Sequence, residues 1–301
     1  MAITRHEWRN IRRGLAFTSP WILGLLLFVA YPIGASLYYS FTDFSVLLPP
    51  VSVGVKNYTD LFRDDLFRKS IWNTLVYTML ALPLSIVLSL GIAVMLHEKI
   101  RFRGFFRTIY FIPSLVPLVP LGILWQWIFN SQYGIINVYL DPLLEPLGGS
   151  APNWLADPLW TKPALALIRI WGTGGSMLIF LAALQDVPEE LYESAEIDGA
   201  STLQKFRTIT IPLISPALYF NLIIGIIACI QLFAVPFVMT GRGPADSSYF
   251  FTMYIYDNAF KYLRMGYASA MAWIMFVLIL ILTILAMKIT SRHVFYGGER
   301  N

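Results

Sequence analysis

The stretch Gln185-Asp-Val-Pro-Glu-Glu-Leu-Tyr-Glu-Ser-Ala-Glu-Ile-Asp-Gly-Ala-Ser-Thr-Leu-Gln-Lys-Phe-Arg207 interrupts an otherwise apolar chain, and its reading decides what the chain is. Six of the 18 acids, Asp186, Glu189, Glu190, Glu193, Glu196 and Asp198, fall inside it. Asp186 followed three residues later by Glu189, with Pro188 between them, has the spacing of a capping-box helix start. Gly199 is free to take the left-handed conformation that ends a helix. A second start follows at Ser201, with Gln204 three residues on. These signals predict two short helices joined by a sharp turn at Asp198–Gly199. The plain alternative is a solvated acidic loop. Two capped helices around a glycine hinge make a rigid knob instead, which is what a mechanical contact with a partner requires.

Outward from this loop the sequence is apolar in both directions. Of 301 residues 57% are hydrophobic and 13% charged, and the mean hydropathy is +0.62, whereas soluble chains run near half apolar and a quarter charged. The chain is therefore a membrane protein by composition, and disorder is excluded. Cys229 is the only cysteine, so no intrachain disulfide framework exists. A hydrocarbon core of about 30 Å needs roughly 20 apolar residues in a helix. Six runs lack Asp, Glu and Lys, and one of them holds a single Arg. They predict spans at about 17–40, 74–96, 107–129, 163–184, 216–238 and 267–287, with the acidic loop, residues 185–211, between the fourth and fifth. Continuous apolar runs favour helices over barrel strands, which alternate. The expected fold is an all-α membrane protein of six transmembrane helices forming one domain over residues 1–301.

Orientation follows from Lys and Arg. Segments 1–14, 97–107, 185–211 and 288–301 hold 13 of the 22, including Arg5, Arg9, Arg12, Arg13, Lys99, Arg101, Arg103 and Arg107. Segments 43–69, 130–162 and 239–266 are longer in total and hold 8. The positive-inside rule then places both termini in the cytoplasm. The first apolar stretch is too long for a signal-peptide core and is read as an uncleaved span. No span contains Asp, Glu or His, so no intramembrane proton relay is expected. His6, His97 and His293 are scattered, which predicts no metal site. A G-x-x-x-x-G-K-[ST] loop is absent, so the chain does not bind ATP by that route. The energy for any uphill movement is expected from another polypeptide.

Glu193-Ser194-Ala195, three residues, Gly199, nine residues, Ile209, one residue, Ile211-Pro212 resembles the EAA loop of binding-protein-dependent ABC importer permeases, E-A-A-x3-G-x9-I-x-L-P. It departs at Ser194 for Ala and at Ile211 for Leu, with the spacing kept throughout. Asp198-Gly199-Ala200 and Pro212-x3-Pro216 resemble the longer form in carbohydrate permeases. Phe41-Thr42-Asp43, Asn57-Tyr58, Arg107-Thr-Ile-Tyr-Phe-Ile-Pro113, Tyr133-Gly134 with Asn137, and Thr240-Gly-Arg-Gly-Pro244 are similar to the same branch, departing at Arg242. The resemblance covers nearly the whole chain and is nearest the six-span glycerol-phosphate and multiple-sugar subunits. It implies a type I importer permease fold in an inner membrane. It also implies a cytoplasmic coupling helix in which Glu193, Ala195, Asp198, Gly199, Ala200 and Pro212 contact an ATPase subunit. The implied partners are a second permease, two ATPase subunits carrying ATP and Mg, and an extracytoplasmic solute-binding protein. No cofactor is expected on this chain itself. Pro212 and Pro216 either fix how the loop enters span five or simply start a helix.

Polar residues inside spans are candidates for the solute path. Arg169 lies six residues in from Pro163, roughly 9 Å deep at 1.5 Å per residue; it either lines an aqueous cavity or snorkels outward. Trp171 either stacks on a sugar ring or belongs to the interfacial belt. Gly172-Thr-Gly-Gly-Ser176 either unwinds to expose backbone or permits a close helix crossing. Asn221, Gly225 and Ala228 are expected on one face, with Gln231 on a neighbouring one; their amides suit polyhydroxylated ligands and equally suit interhelical bonds. The expected function is import of a sugar or related polyhydroxylated solute. An anionic or phosphorylated cargo remains open because of Arg169. A membrane-embedded glycosyltransferase is the rival from another class, and it would have to use the acids of 186–198.

Overall fold

The structure is a computed structural model that describes residues 5–98 and 100–290; Lys99, His293 and the extreme termini lie outside the described residues. The helices in chain order are α1 (Arg5–Leu25), α2 (Tyr31–Ser40), α3 (Lys56–Arg63), α4 (Asp65–His97), α5 (Arg103–Phe111), α6 (Leu118–Ile128), α7 (Ile135–Leu144) and α8 (Thr161–Trp171). They continue with α9 (Gly174–Gln185), α10 (Glu189–Ile197), α11 (Thr202–Lys205), α12 (Ile211–Leu213), α13 (Ser215–Ile230), α14 (Ala234–Met239), α15 (Phe251–Tyr256) and α16 (Met265–Thr290). A short antiparallel ribbon, β1 (Thr42–Ser45) and β2 (Leu48–Ser52), departs from the all-helical expectation.

Four helices are long and apolar enough to cross a bilayer: Trp8–Ser40, Asp65–His97, Ser215–Met239 and Met265–Ile289. They coincide with expected spans one, two, five and six, the second starting several residues earlier than the sequence indicated. Expected spans three and four correspond to two bent helix pairs, each broken near its middle. Arg103–Leu115 and Leu118–Ile128 meet at 100°, and Thr161–Trp171 and Gly174–Gln185 at 47°. The physical cause of the first break is Pro117, which lacks an amide hydrogen and forces Val116 into the extended region at φ −70°, ψ 126°. The second falls at Gly172–Thr173, inside the glycine-rich segment.

The described residues form two compact units. One comprises residues up to Asp64 with Ile255–Ile274. Here the buried Asn57 amide donates to the carbonyls of Ser40 and Thr42, both at 2.9 Å, and the Tyr58 hydroxyl donates to Ser40 Oγ at 2.8 Å. These bonds satisfy carbonyls freed where α2 ends. They also join the segments Phe41-Thr42-Asp43 and Asn57-Tyr58. Gly266 closes the same knot, since a Cβ there would stand 2.0 Å from the Thr42 carbonyl oxygen. Trp273 Nε1 reaches Ser36 Oγ at 3.2 Å. The most apolar window of Trp8–Ser40 has no buried residue, so this helix spends its apolar surface on something other than its own chain.

The other unit is built around α4. Ser70, Thr74, Thr78, Ser85 and Ser89 are buried along it, and their hydroxyls donate at 2.7–3.0 Å to carbonyls three or four residues back. Small residues whose polar atoms are satisfied locally let neighbouring backbones come close, which is how helices associate without a hydrophobic drive between them. α8, α9 and α13 pack on this helix. At its lower end Ala93, Leu96, Met177, Phe180, Leu181, Leu184 and Ile214 form a dry core. Gly174 sets a tight crossing against backbone: a Cβ there would lie 2.4 Å from the Tyr110 carbonyl oxygen and 2.8 Å from Phe111 Cα. The glycine-rich segment therefore does both things the sequence allowed, breaking the helix and permitting the crossing. Gly175 faces open space. Gly174→Ala is expected to cost about 1–3 kcal/mol by overpacking and to lower the thermal midpoint in detergent by several degrees, with Gly175→Ala neutral or slightly stabilising. Equal midpoints for the two variants would show that the crossing is loose.

Candidate functional site

The acidic loop folds as a helix, a turn and a second helix, by the expected local chemistry with one correction. α10 begins at Glu189 with Pro188 as its N-cap and no side-chain capping bond. Asp186, expected to cap α10, instead closes the C-terminus of α9. Glu189 and Glu190 lie in the first turn, where the helix dipole favours negative charge. At the far end Gly199 takes φ +74°. Its amide donates to Glu196 O at 3.0 Å, and that of Ala200 to Ala195 O at 2.9 Å. This pair of bonds is the Schellman stop, and it requires a residue that tolerates the left-handed region. Ser201 and Gln204 then form a complete capping box, the Ser201 amide donating to Gln204 Oε1 at 2.7 Å and the Gln204 amide to Ser201 Oγ at 3.4 Å.

Two side-chain ties lock the knob. Lys205 pairs with Glu196 across the turn, and the hydroxyls of Tyr192 and Thr210 share a hydrogen bond of 2.9 Å. The Tyr192 tie carried no spacing signal and was not foreseen. No residue of α10 is buried. Glu193, Asp198 and Gly199 are exposed, while Ala195, Ala200 and Pro212 are half-buried. Ile197 is 87% exposed, Leu203 58% and Leu191 42%, so the knob presents apolar side chains among its acids that no described residue covers. Pro212 stands in α12, and Pro216 lies in the first turn of α13, where a missing amide hydrogen costs nothing.

The solute-path candidates are partly brought together. Arg169, in the last turn of α8, points inward: a Cβ on Gly225 would lie 3.5 Å from its Nη2. Asn221 is buried one turn before Gly225 and donates to Ala217 O at 3.0 Å, within its own helix. Ala228 is exposed, whereas Asn221, Gly225 and Cys229 are buried on α13. Gln231 is exposed where α13 ends. The break that follows frees the Leu232 carbonyl, which accepts a bond from the Thr252 hydroxyl. Trp171 meets Trp125 edge-on with centroids 5.8 Å apart. A cavity of about 260 Å³ lies at the two broken spans, lined by Tyr110, Pro113, Ile170, Trp171, Thr173 and Gly174 among others.

Segments 130–162 and 239–266 each carry internal ties. Asn137 accepts from Trp154 Nε1 at 2.7 Å, and a Cβ on Gly134 would collide with the Asn130 carbonyl at 2.3 Å, which accounts for the pattern Tyr133-Gly134 with Asn137. Gly241 and Gly243 have φ of 57° and 69°, and Arg242 between them pairs with Asp246 at 2.7 Å and lies 4.2 Å over the Tyr249 ring. The buried Asn73 amide donates to Asp246 O at 2.8 Å and Tyr249 O at 3.2 Å. The buried Asp257 carboxylate bonds Lys261 at 2.7 Å and raises the pKa of that ammonium. Asn73→Ala is expected to strand two carbonyls at about 1–3 kcal/mol. Deuterium uptake should then quicken in residues 242–249 and stay unchanged in 189–205; a uniform change would mean that Asn73 supports the fold rather than this loop.

Comparison with known proteins agrees with this geometry. The family model described as binding-protein-dependent transport system inner membrane component matches residues 81–295. The probable ABC transporter permease protein YesP of Bacillus subtilis (strain 168) is 36% identical, over 97% of this chain and 96% of its own. The sulfoquinovosyl glycerol transport system permease protein SmoG of Agrobacterium fabrum is 35% identical, over 90% and 88%. A bacterial alginate ABC transporter, solved in complex with an alginate pentasaccharide-bound periplasmic protein, has a chain of the same fold, with TM-score 0.79 and 24% identity over 95% of this chain and 97% of that one.

Proposed function

The chain belongs to the binding-protein-dependent transport system inner membrane components, and from that membership we propose that it is the permease subunit of an ATP-driven importer of a sugar or related polyhydroxylated solute. The observation that carries the mechanism is the knob formed by α10 and α11. It is stopped by a Schellman turn, started again by a capping box, tied by Lys205–Glu196 and Tyr192–Thr210, and left uncovered. A rigid, exposed element fixed to the ends of two spans transmits displacement; a floppy acidic loop would absorb it.

The knob seats in a groove on a partner ATPase. Glu193 and Asp198 meet basic groove residues, and Ala195 and Ala200 let the helix approach closely. Gly199 holds the turn and Pro212 directs the chain into span five. ATP and Mg act on that partner, two copies of which work with this chain and a second, similar permease. Both termini and the knob face the cytoplasm. Segments 43–69, 130–162 and 239–266 face outward and receive the loaded solute-binding protein; their internal ties keep that surface preformed. A sugar cargo is supported by the relatives' names and by the amides and aromatic rings along the path. Substrate is released into the path when ATP-driven closure opens it outward, and hydrolysis resets it.

The test is purification of the tagged chain from its native host in mild detergent, with co-eluting proteins identified by mass and assayed for ATP hydrolysis. An ATPase and a second permease are expected to co-elute. Gly199→Asp has room for a side chain but strains a left-handed residue by about 1 kcal/mol and adds charge to the contact. It is expected to abolish uptake and weaken ATPase co-elution with the membrane level of the chain unchanged. A chain that elutes alone, or a variant that is lost from the membrane, would overturn the coupling assignment.

A further inference from the structure

The unit built on α4 holds a half-buried charge, Arg169, that no described residue neutralises. Arg169 does not snorkel back to the interface: its guanidinium crosses to α13, into the space that Gly225 leaves by having no side chain. It lies within electrostatic range of Tyr77 on α4 and Cys229 on α13, both buried. Its Nε is closed off from solvent and has no hydrogen-bond acceptor. No apolar run of the sequence carries Asp or Glu, and among the described residues no carboxylate pairs with Arg169.

A guanidinium cannot escape this position by losing its proton. Arg169 is half-buried, and an unpaired charge partly withdrawn from water is costly until an anion reaches the group. Residues of this kind inside spans mark the route of a charged ligand. The forked donor edge matches an oxyanion held by two parallel bonds. Gly225 contributes by absence. A Cβ there would stand 2.3 Å from Leu82 Cδ1 and 3.5 Å from Arg169 Nη2, so any side chain would press on the seat of the guanidinium.

Building on the importer reading above, we propose that Arg169 is the charge-selecting residue of the solute path and that the cargo is an oxyanion-bearing sugar. Carboxylate, sulfonate and phosphate ester share the chemistry that the fork recognises. The sugar hydroxyls supply the polyhydroxylated part, and the oxyanion supplies the counter-charge that the protein lacks.

The test uses the native host. Cells lacking the gene are complemented with the wild-type chain, Arg169→Gln or Arg169→Lys. They receive a mixed hydrolysate of pectin, alginate and starch with added sulfoquinovosyl glycerol, glycerol 3-phosphate and lactose. Gene-dependent depletion of each sugar is followed by mass spectrometry, and the membrane level of the chain by immunoblot. Depletion of acidic sugars is expected in the wild type, with a tenfold or greater fall in Arg169→Gln. In Arg169→Lys, which keeps the charge and loses the fork, uptake should be intermediate. Where Arg169→Gln fails to reach the membrane, the Lys variant decides: acidic uptake unchanged relative to the wild type overturns the proposal. Gene-dependent uptake of neutral sugars only, or an acidic uptake that Arg169→Gln leaves intact, also overturns it while the importer reading stands. No gene-dependent uptake of any sugar counts against the importer reading itself, and the charge proposal falls with it.

Discussion

The crossing of α5 and α9 at Gly174 is the contact on which the intramembrane architecture depends. Both expected spans that meet there are broken, and a broken helix strands backbone donors and acceptors that lipid cannot satisfy. Breaks survive at such depth only where protein covers them. Gly174 brings the start of α9 onto the backbone of Tyr110 and Phe111, close enough that no side chain fits between. The start of α9, just past the second break, is thus covered by the end of α5.

Below the crossing, the dry core around Met177, Phe180, Leu181 and Leu184 continues α9 down to Gln185. The knob follows after three residues. Its shape is set almost wholly by local chemistry: a glycine that accepts positive φ, a serine and glutamine that cap one another, and a lysine that reaches back to a glutamate. Rigidity that comes from local bonds does not depend on what the spans are doing. The knob can therefore move as a body when the spans change arrangement, which a segment held by tertiary packing could not do without unfolding.

That difference also explains how much could be read from the sequence. The turn at Asp198–Gly199, the Ser201 capping box and four of the spans were legible because each is decided within a few residues. Asp186 was misread because it satisfies two local rules at once, and closing α9 won over opening α10 once Pro188 could occupy the N-cap. The burial of Cys229 beside an exposed Ala228 on α13 was not legible, because small residues carry no label for the side they face. Pro117 was visible, but whether a proline kinks a span gently or turns it by 100° depends on what stands beside it. The Tyr192–Thr210 bond and the nest of Arg169 against Gly225 join residues far apart in sequence, and no spacing announces them.

The placement of charge divides the labour within the chain. The apolar runs of the sequence hold no acid and six of the 18 acids gather in the knob, which fits the proposed arrangement in which work enters mechanically through that loop. Within those runs Arg169 is the one guanidinium. On the proposal made above it serves selection of the cargo, while the knob serves the supply of work, so the two tasks fall at separate places, one exposed and the other half-buried. The α4 and α9 helices connect them, and their hydroxyl-lined and glycine-tight contacts let the two regions be coupled without sharing a single titratable group.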